Sequence, residues 1–535
     1  MSFVRANVPF YLLILFVVIS CGKDTKELLT EERGLQVVPG LSLGDVSLGM
    51  SLSQLTEALG EPEKSFSFNR LVTYQYTTLG MEVMLTSSDA NAASIDARVV
   101  ALGTLSGTKV EGEVWTGMTM DELEALYGAP YIQEGKIAYF TDIGLGAKCD
   151  DEGRVILFTV WPGYDSQPQP PEMIQAATTV PTDVDRAITG EPIRYEIDGE
   201  LFEVVDMHLH VGKASGQTPD GVGFLVSQLP GPAALYFPAT SGEVIHPYSD
   251  HLGIQEHLKA AGVSHGVILS TYTHHTIGYA ENRLVEAFLD DPRNVNPDGT
   301  QWAWGLASIN FEGFEEPGVA QKRLDALNSY LENRPDLFIG IKLAHAHQAV
   351  RFDDPIYLGV YDVAAKNQVP VLLHTGFSPF PHSMVEPEFY DPSSLENVIQ
   401  DYDGTHGKGR VDFILGHSGQ GDARAIESSL QLAAEYDNVW LEISAIHRPL
   451  LLDMYGNLVD DNSPMHPYVL GEIKKRGLVH RTIYATDGPQ YFGKSQSYLK
   501  MMVKAMKKAD YTVEDLRAVL AENFYDCFQL DSSLF

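Results

Sequence analysis

Two histidines one residue apart close an apolar run, Glu203-Val-Val-Asp206-Met-His208-Leu-His210. Alternation along a strand puts both on one face, so their imidazoles converge beyond the strand's C-terminal end. A divalent ion of borderline softness accepts neutral imidazole nitrogens at about 2.0 Å. A histidine pair on an exposed strand end would do no chemistry, so the remaining partners decide between the two readings. Three later segments share the construction of an apolar run ending in a ligand-type residue: Val369-Pro-Val-Leu-Leu-His374, Val411-Asp-Phe-Ile-Leu-Gly-His417 and Arg481-Thr-Ile-Tyr-Ala-Thr-Asp487. A fourth, Leu337-Phe-Ile-Gly-Ile-Lys342-Leu343, ends in lysine.

Residues this far apart in sequence meet only if their strands are parallel and open on one face, as in a barrel. From about residue 196 to 535, strand-like runs alternate with helical patterns, which predicts a parallel sheet with crossover helices. Candidate strands begin near Glu203, His265, Trp302, Leu337, Val369, Val411, Asn438 and Arg481. Eight strands close a barrel, so the fold class is α/β with a (β/α)8 TIM barrel. The longest insertions, Val211 to Gly262, Thr375 to Gly409 and Ser444 to Leu470, rim the ligand-bearing face and are where substrate choice resides.

Asp206-x-His208-x-His210, Gly340-Ile-Lys342-Leu, Leu-Leu-His374, Gly416-His417 and Thr486-Asp487 together resemble the amidohydrolase superfamily, in its amidohydrolase-related branch of hydrolases and non-oxidative decarboxylases. The resemblance covers the barrel segment and implies one divalent metal, most often Zn2+, held by His208, His210, His374 and Asp487. It implies that His417 positions or activates a water, and that Asp487 serves both as ligand and as proton acceptor. Lys342 keeps two readings: carboxylated, it bridges a second metal with His374 and His417; as an ammonium, it holds a substrate carboxylate or pairs within the barrel. The single-metal reading with an unmodified lysine is preferred.

The chain departs from the branch in two places. Ala344 intervenes before His345, with His347 beyond, where a histidine commonly follows at once, and Gly488 precedes proline where an aromatic often stands. His274, His275, His382 and His447 fall on expected rim loops, where a solvated histidine competes with a substrate contact. Glu442, at the end of the seventh strand, is either structural or a group behind the ligands.

Ahead of the barrel, an internal repeat 68 residues apart spans about 41–165. Gly49-Met-Ser51-Leu-Ser-Gln54 and Gly117-Met-Thr119-Met-Asp-Glu122 each open a short helix with a capping box, and Gly60 and Gly128, each followed by proline two residues on, close it. Strand-like runs follow each helix, giving a tandem α+β module of one helix on a small antiparallel sheet. The module resembles those of the β-lactamase-inhibitor-protein and outer-membrane-assembly lipoprotein type, which implies an envelope protein partner; a spacer or lid is the alternative. Residues 166–195, rich in Pro and Thr, read as a linker.

The N-terminus carries Arg5, an apolar run from Val8 to Ser20, then Cys21-Gly22. Val18-Ile19-Ser20-Cys21 resembles the lipobox of bacterial lipoproteins, with residues 1–20 as the signal peptide, Cys21 as the lipidation site and 21–40 as a tether. That implies a membrane-anchored, extracytoplasmic protein of the cell envelope; a retained anchor helix is the competing reading. The formal charge of -35, from 72 acidic against 37 basic residues, argues against nucleic acid as a partner. Cys149 and Cys527 fall in different domains, which leaves no disulfide framework.

Taken together, the expected activity is hydrolysis of an ester, lactone or amide of a small molecule by a metal-activated water. The alternatives are a carboxy-lyase on the same scaffold and an envelope interaction protein whose barrel is inactive. Oligomeric state is open.

Overall fold

A computed structural model describes residues 34–161, without 69–70, 87–96, 106, 131, 135–136 and 141–142, and then 191–210, 218, 255, 258–259, 261–291, 294–446, 467–488 and 494–531. Eight of its strands form one parallel sheet in chain order: Val205–His210, His265–Leu269, Ala303–Ala307, Phe338–Leu343, Val371–His374, Phe413–Gly416, Val439–Glu442 and Thr482–Ile483. Each begins at its expected start or within two residues of it. The segment after the eighth strand returns to the first, with His210 N donating to Gly488 O at 2.6 Å and Gly488 N to His208 O at 3.2 Å. That contact completes the expected (β/α)8 barrel.

These strands are continuous apolar runs because a parallel sheet is covered on both faces. Strands two, three and four are buried along their whole length. Val205, Met207, Val267, Leu306, Ile339, Leu372, Ile414 and Ile483 share one cluster, which Phe524 and Phe528 of the last helix join. The outer cluster packs the crossover helices, among them Val319–Asn333, Pro355–Asn367 and Ala423–Glu435. Asp354 and Asp422 cap the latter two with their side chains. The last helical stretch opens on the expected Thr512 capping box. Asn523 is structural, as expected, with its Nδ2 donating to the carbonyls of Val479 and Thr482 at 2.8 and 2.6 Å.

In the N-terminal module the helices Leu52–Leu59 and Met120–Tyr127 carry both capping boxes. The two copies build a single eight-stranded antiparallel sheet instead of two small ones. From one edge the order is Lys64–Phe68, Leu71–Tyr76, Met81–Thr86, Arg98–Thr104, Val155–Val160, Leu145–Cys149, Ile137–Phe140 and Ile132–Glu134. The copies therefore meet at their last strands, where Thr159 pairs with Gly103 and Val160 with Leu102.

Two expected boundaries need correction. The tether does not run to residue 40: Val37–Val38 pairs with Ser42–Leu43, Val37 joins the module's core, and Leu35 N donates to Lys109 O at 2.9 Å. Apolar alternation at Leu35 and Val37 is enough to seat this segment. Nor does the linker run to 195, since Tyr195–Ile197 pairs with Glu200–Phe202, and Ser264 Oγ donates to Ile193 O at 2.6 Å. Cys21, the signal-peptide region and most of the linker lie outside the described residues. Among those described, no helix is long and apolar enough to cross a membrane. Cys149 and Cys527 are both buried free thiols.

Candidate metal centre

The first barrel strand does not alternate evenly. Asp206 pairs with Gly266 and Leu209 with Ile268, so Met207 and His208 together oppose Val267 alone. A bulge of this kind re-aims a side chain. It leaves His208 fully buried and its Nε2 only 3.2 Å from His210 Nε2. Asp487 arrives from the far end of the barrel, with its Oδ1 3.0 Å from His210 Nε2 and 3.4 Å from His208 Nε2. Donor atoms sharing a tetrahedral ion at 2.0–2.1 Å lie about 3.3 Å apart. Two imidazole nitrogens and a carboxylate oxygen at these separations fit a divalent cation.

His374, expected as the fourth ligand, stands outside that group. Its Nδ1 lies 3.1 Å from His417 Nε2, and its Nε2 has no hydrogen-bond partner and no contact with solvent. His417 forms a second group with His208 and Glu442. His417 is held in left-handed backbone at φ 63, and Asp487 at φ 55. Such strain in non-glycine residues collects at functional sites. Lys342 Nζ is buried 3.3 Å from His208 Nε2.

Behind the ligand atoms lies Glu442, wholly buried on the seventh strand. One of its oxygens, Oε2, takes the backbone N–H of His417 at 3.0 Å, the hydroxyl of Ser444 at 3.0 Å and His208 Nδ1 at 3.1 Å. The other takes the backbone N–H of Ser444. Burial pushes the Glu442 carboxyl up to about 7, against the pull of its hydrogen bonds and of Lys342. Burial also brings the Lys342 ammonium down to about 8, with Asp487 and Glu442 opposing. His208 and His374 are held well below the ordinary imidazole range, by burial first and then by a neighbour, the Lys342 ammonium for His208 and the His417 ring for His374. Neutral imidazole is the form a metal needs.

Three participants carried no role in the sequence reading. Ser444, whose Oγ is 2.7 Å from His417 Nδ1, lies two residues from Glu442, so strand parity pointed to it. Asp206 accepts from Thr486 and from His208 N. His347, on the short buried helix His345–Gln348, sets its Nδ1 2.9 Å from Thr276 Oγ1, and its ring packs edge-on against His374 with centroids 4.8 Å apart. Of the rim histidines, His274 stacks on Tyr279, His275 Nε2 lies 3.7 Å from Glu312, and His382 is exposed. His447 lies outside the described residues.

A family model for amidohydrolases matches residues 323–526, from the helix before the fourth strand to the last helix of the barrel. The match supports an amidohydrolase-superfamily scaffold; the His208 and His210 strand lies outside it. No curated protein matches the chain. Solved structures similar to it include a probable 2-pyrone-4,6-dicarboxylic acid hydrolase from Acinetobacter baumannii, 14% identical, covering 61% of this chain and 99% of its own, at a TM-score of 0.39. A 5-carboxyvanillate decarboxylase from Novosphingobium aromaticivorans with bound manganese is 12% identical, covering 62% and 97%, at 0.40. A dihydroorotase from Campylobacter jejuni is 14% identical, covering 62% and 84%, at 0.37.

Proposed function

We propose that the barrel is a divalent-metal-dependent hydrolase of the amidohydrolase superfamily that cleaves an ester, lactone or amide of a small molecule. The observation that carries this reading is the spacing of His208 Nε2, His210 Nε2 and Asp487 Oδ1, 3.0 to 3.4 Å from one another. We assign His374 as the fourth ligand through its unpartnered Nε2, with one Zn2+ as the resident ion.

A cation held there supplies Lewis acidity, acidifying water and polarising a substrate oxygen. Asp487, partly exposed like His210, takes the proton of the attacking water. His417 positions that water through His374, whose Nδ1 lies 3.1 Å from His417 Nε2. Lys342 lies in the barrel floor beside His208 and keeps positive charge where negative charge develops; carboxylation is not required for that role.

A carboxy-lyase reading is favoured by the same Lys342, whose buried ammonium is a partner for a substrate carboxylate. The test is to offer the zinc-loaded protein a panel of esters, lactones and amides beside a panel of aryl and unsaturated carboxylates. Turnover of the first panel, lost in His210→Ala, supports hydrolysis. Release of carbon dioxide without any hydrolysis overturns it. No detectable zinc binding and no turnover would leave the inactive-barrel reading standing.

The lipobox-like Val18-Ile19-Ser20-Cys21 supports anchoring through Cys21 in the bacterial cell envelope, with the tandem module as the surface for an envelope protein partner. Membrane fractionation of the full chain and of Cys21→Ser tests the anchor.

A further inference from the structure

Glu442 occupies a place that the chemistry above leaves without a role. It touches none of the space between His208 Nε2, His210 Nε2 and Asp487, and yet a fully buried carboxylate is retained and surrounded by donors. The question is what these contacts impose on the imidazoles around it, since a neutral imidazole carries its proton on one nitrogen and a bare lone pair on the other.

At Oε2 the His417 N–H and the Ser444 hydroxyl donate beside His208 Nδ1, and as the oxygen of an ionised carboxylate it can only accept. His208 Nδ1 must therefore carry the proton it donates, which leaves His208 Nε2 bare. Lys342 Nζ, 3.3 Å from that nitrogen, is a donor and agrees with this assignment. The Ser444 hydroxyl has one hydrogen and two neighbours, Glu442 Oε2 at 3.0 Å and His417 Nδ1 at 2.7 Å. Were the hydrogen on the histidine side, two oxygens would face each other with nothing between them. Given to Glu442, it leaves Ser444 Oγ as an acceptor, so His417 Nδ1 carries a proton and His417 Nε2 is bare. That nitrogen lies 3.1 Å from His374 Nδ1, which must in turn donate. The last atom of the chain is His374 Nε2, the buried nitrogen without a partner.

We propose that Glu442 is a positioning residue which, directly at His208 and through Ser444 and His417 at His374, fixes the tautomers of three imidazoles so that His208 and His374 each present a bare Nε2, while that of His417 accepts from His374. The inference rests on the metal-binding reading and adds the residue that prepares its ligands. Partners of this kind behind a metal ligand set its orientation and basicity, and their loss typically costs 10- to 100-fold in metal affinity.

The test begins with the full-length wild-type protein, metal-free, carrying 15N-labelled histidine. Long-range 15N–1H correlation distinguishes protonated from bare ring nitrogens, with single-histidine variants for assignment. The expected result is protons on Nδ1 of His208, His417 and His374. A proton on Nε2 of His208 or His374 overturns the proposal, whatever any variant does. The second arm is Zn2+ alone, titrated against a chromophoric chelator. Glu442→Gln, an isostere with one acceptor fewer and no charge, should bind zinc about 10- to 100-fold more weakly. Ser444→Ala should change the His417 and His374 tautomers and leave that of His208 unchanged. A folded Glu442→Gln protein with unaltered zinc affinity sinks this role alone. A wild type that binds no zinc removes the metal reading and this role with it.

Discussion

Asp206 and Thr486 are joined twice: the Asp206 carboxylate takes the backbone N–H of Thr486 at 3.0 Å and its hydroxyl at 2.6 Å. Asp206 lies on the first barrel strand, and Thr486 immediately precedes Asp487. One buried carboxylate thus clamps the two ends of the barrel and sets the angle at which Asp487 meets His208 and His210. In Asp206→Ala the Thr486 N–H and hydroxyl both lose this acceptor. A buried unsatisfied group costs about 1–3 kcal/mol, so the melting temperature falls. Zinc affinity should fall with it, because Asp487 is no longer held. Unchanged affinity in a destabilised protein would separate the clamp from the site.

Removal of the metal makes the simplest activity prediction. A strong chelator should abolish hydrolysis and added Zn2+ restore it. Asp487→Asn, which keeps the shape but loses the proton acceptor, should lower kcat by about 10²-fold or more even with zinc present, the range of one general base. Recovery of full rate by Asp487→Asn at saturating zinc would assign the proton to another group.

Gly419 and Gly60 have nearly the same backbone angle, φ 77 and φ 76, in different surroundings. A Cβ on Gly419 would lie 2.2 Å from the backbone of Ala425, whereas one on Gly60 would meet nothing within 4 Å. Gly60→Ala should cost about 1–3 kcal/mol, the penalty of its glycine-only backbone at φ 76 and ψ -160 alone. Gly419→Ala should cost more, because overpacking adds about 1–3 kcal/mol and the loop holding His417 must shift. Denaturant unfolding of the two variants checks the order, and equal losses would refute it.

Acid should unfold this protein through histidines that stay neutral inside it. Burial holds His345 well below the usual imidazole value of 6.5 and His347 down to about 3. Above pH 6.5 both are neutral folded or unfolded, and their contribution to stability is fully present. As the pH falls from 6.5 toward 3, the unfolded chain takes protons that the folded chain refuses, so stability declines. Each such group steepens the decline by about 1.4 kcal/mol per pH unit. His347→Gln should therefore flatten the slope by about that amount over this window; an unaltered slope would mean His347 is protonated in the fold.

Much of the barrel was legible because a buried parallel strand is an unbroken apolar run, and a polar residue at its end stands out. That made His210, Lys342, His374, His417 and Asp487 visible one at a time. What could not be read were relations between strands. The bulge that turns His208 exists only against Val267, and the Ser444 link to His417 needs strands six and seven side by side. The approach of His374 Nδ1 to His417 Nε2 has the same origin. In the module, helix caps are local signals and were plain. Arg98–Thr104 and Leu145–Cys149 went unnoticed as strands, since Gly103 and Gly146 interrupt their apolar pattern and their partners are distant in sequence.

The seam between Arg98–Thr104 and Val155–Val160 makes the duplicated module indivisible. Cutting the gene between its two halves would strip a hydrogen-bonding edge bare in the middle of the sheet, and bared edges recruit whatever strand is at hand. A half-length fragment would replace its missing sibling with a stranger, most simply another fragment of its own kind.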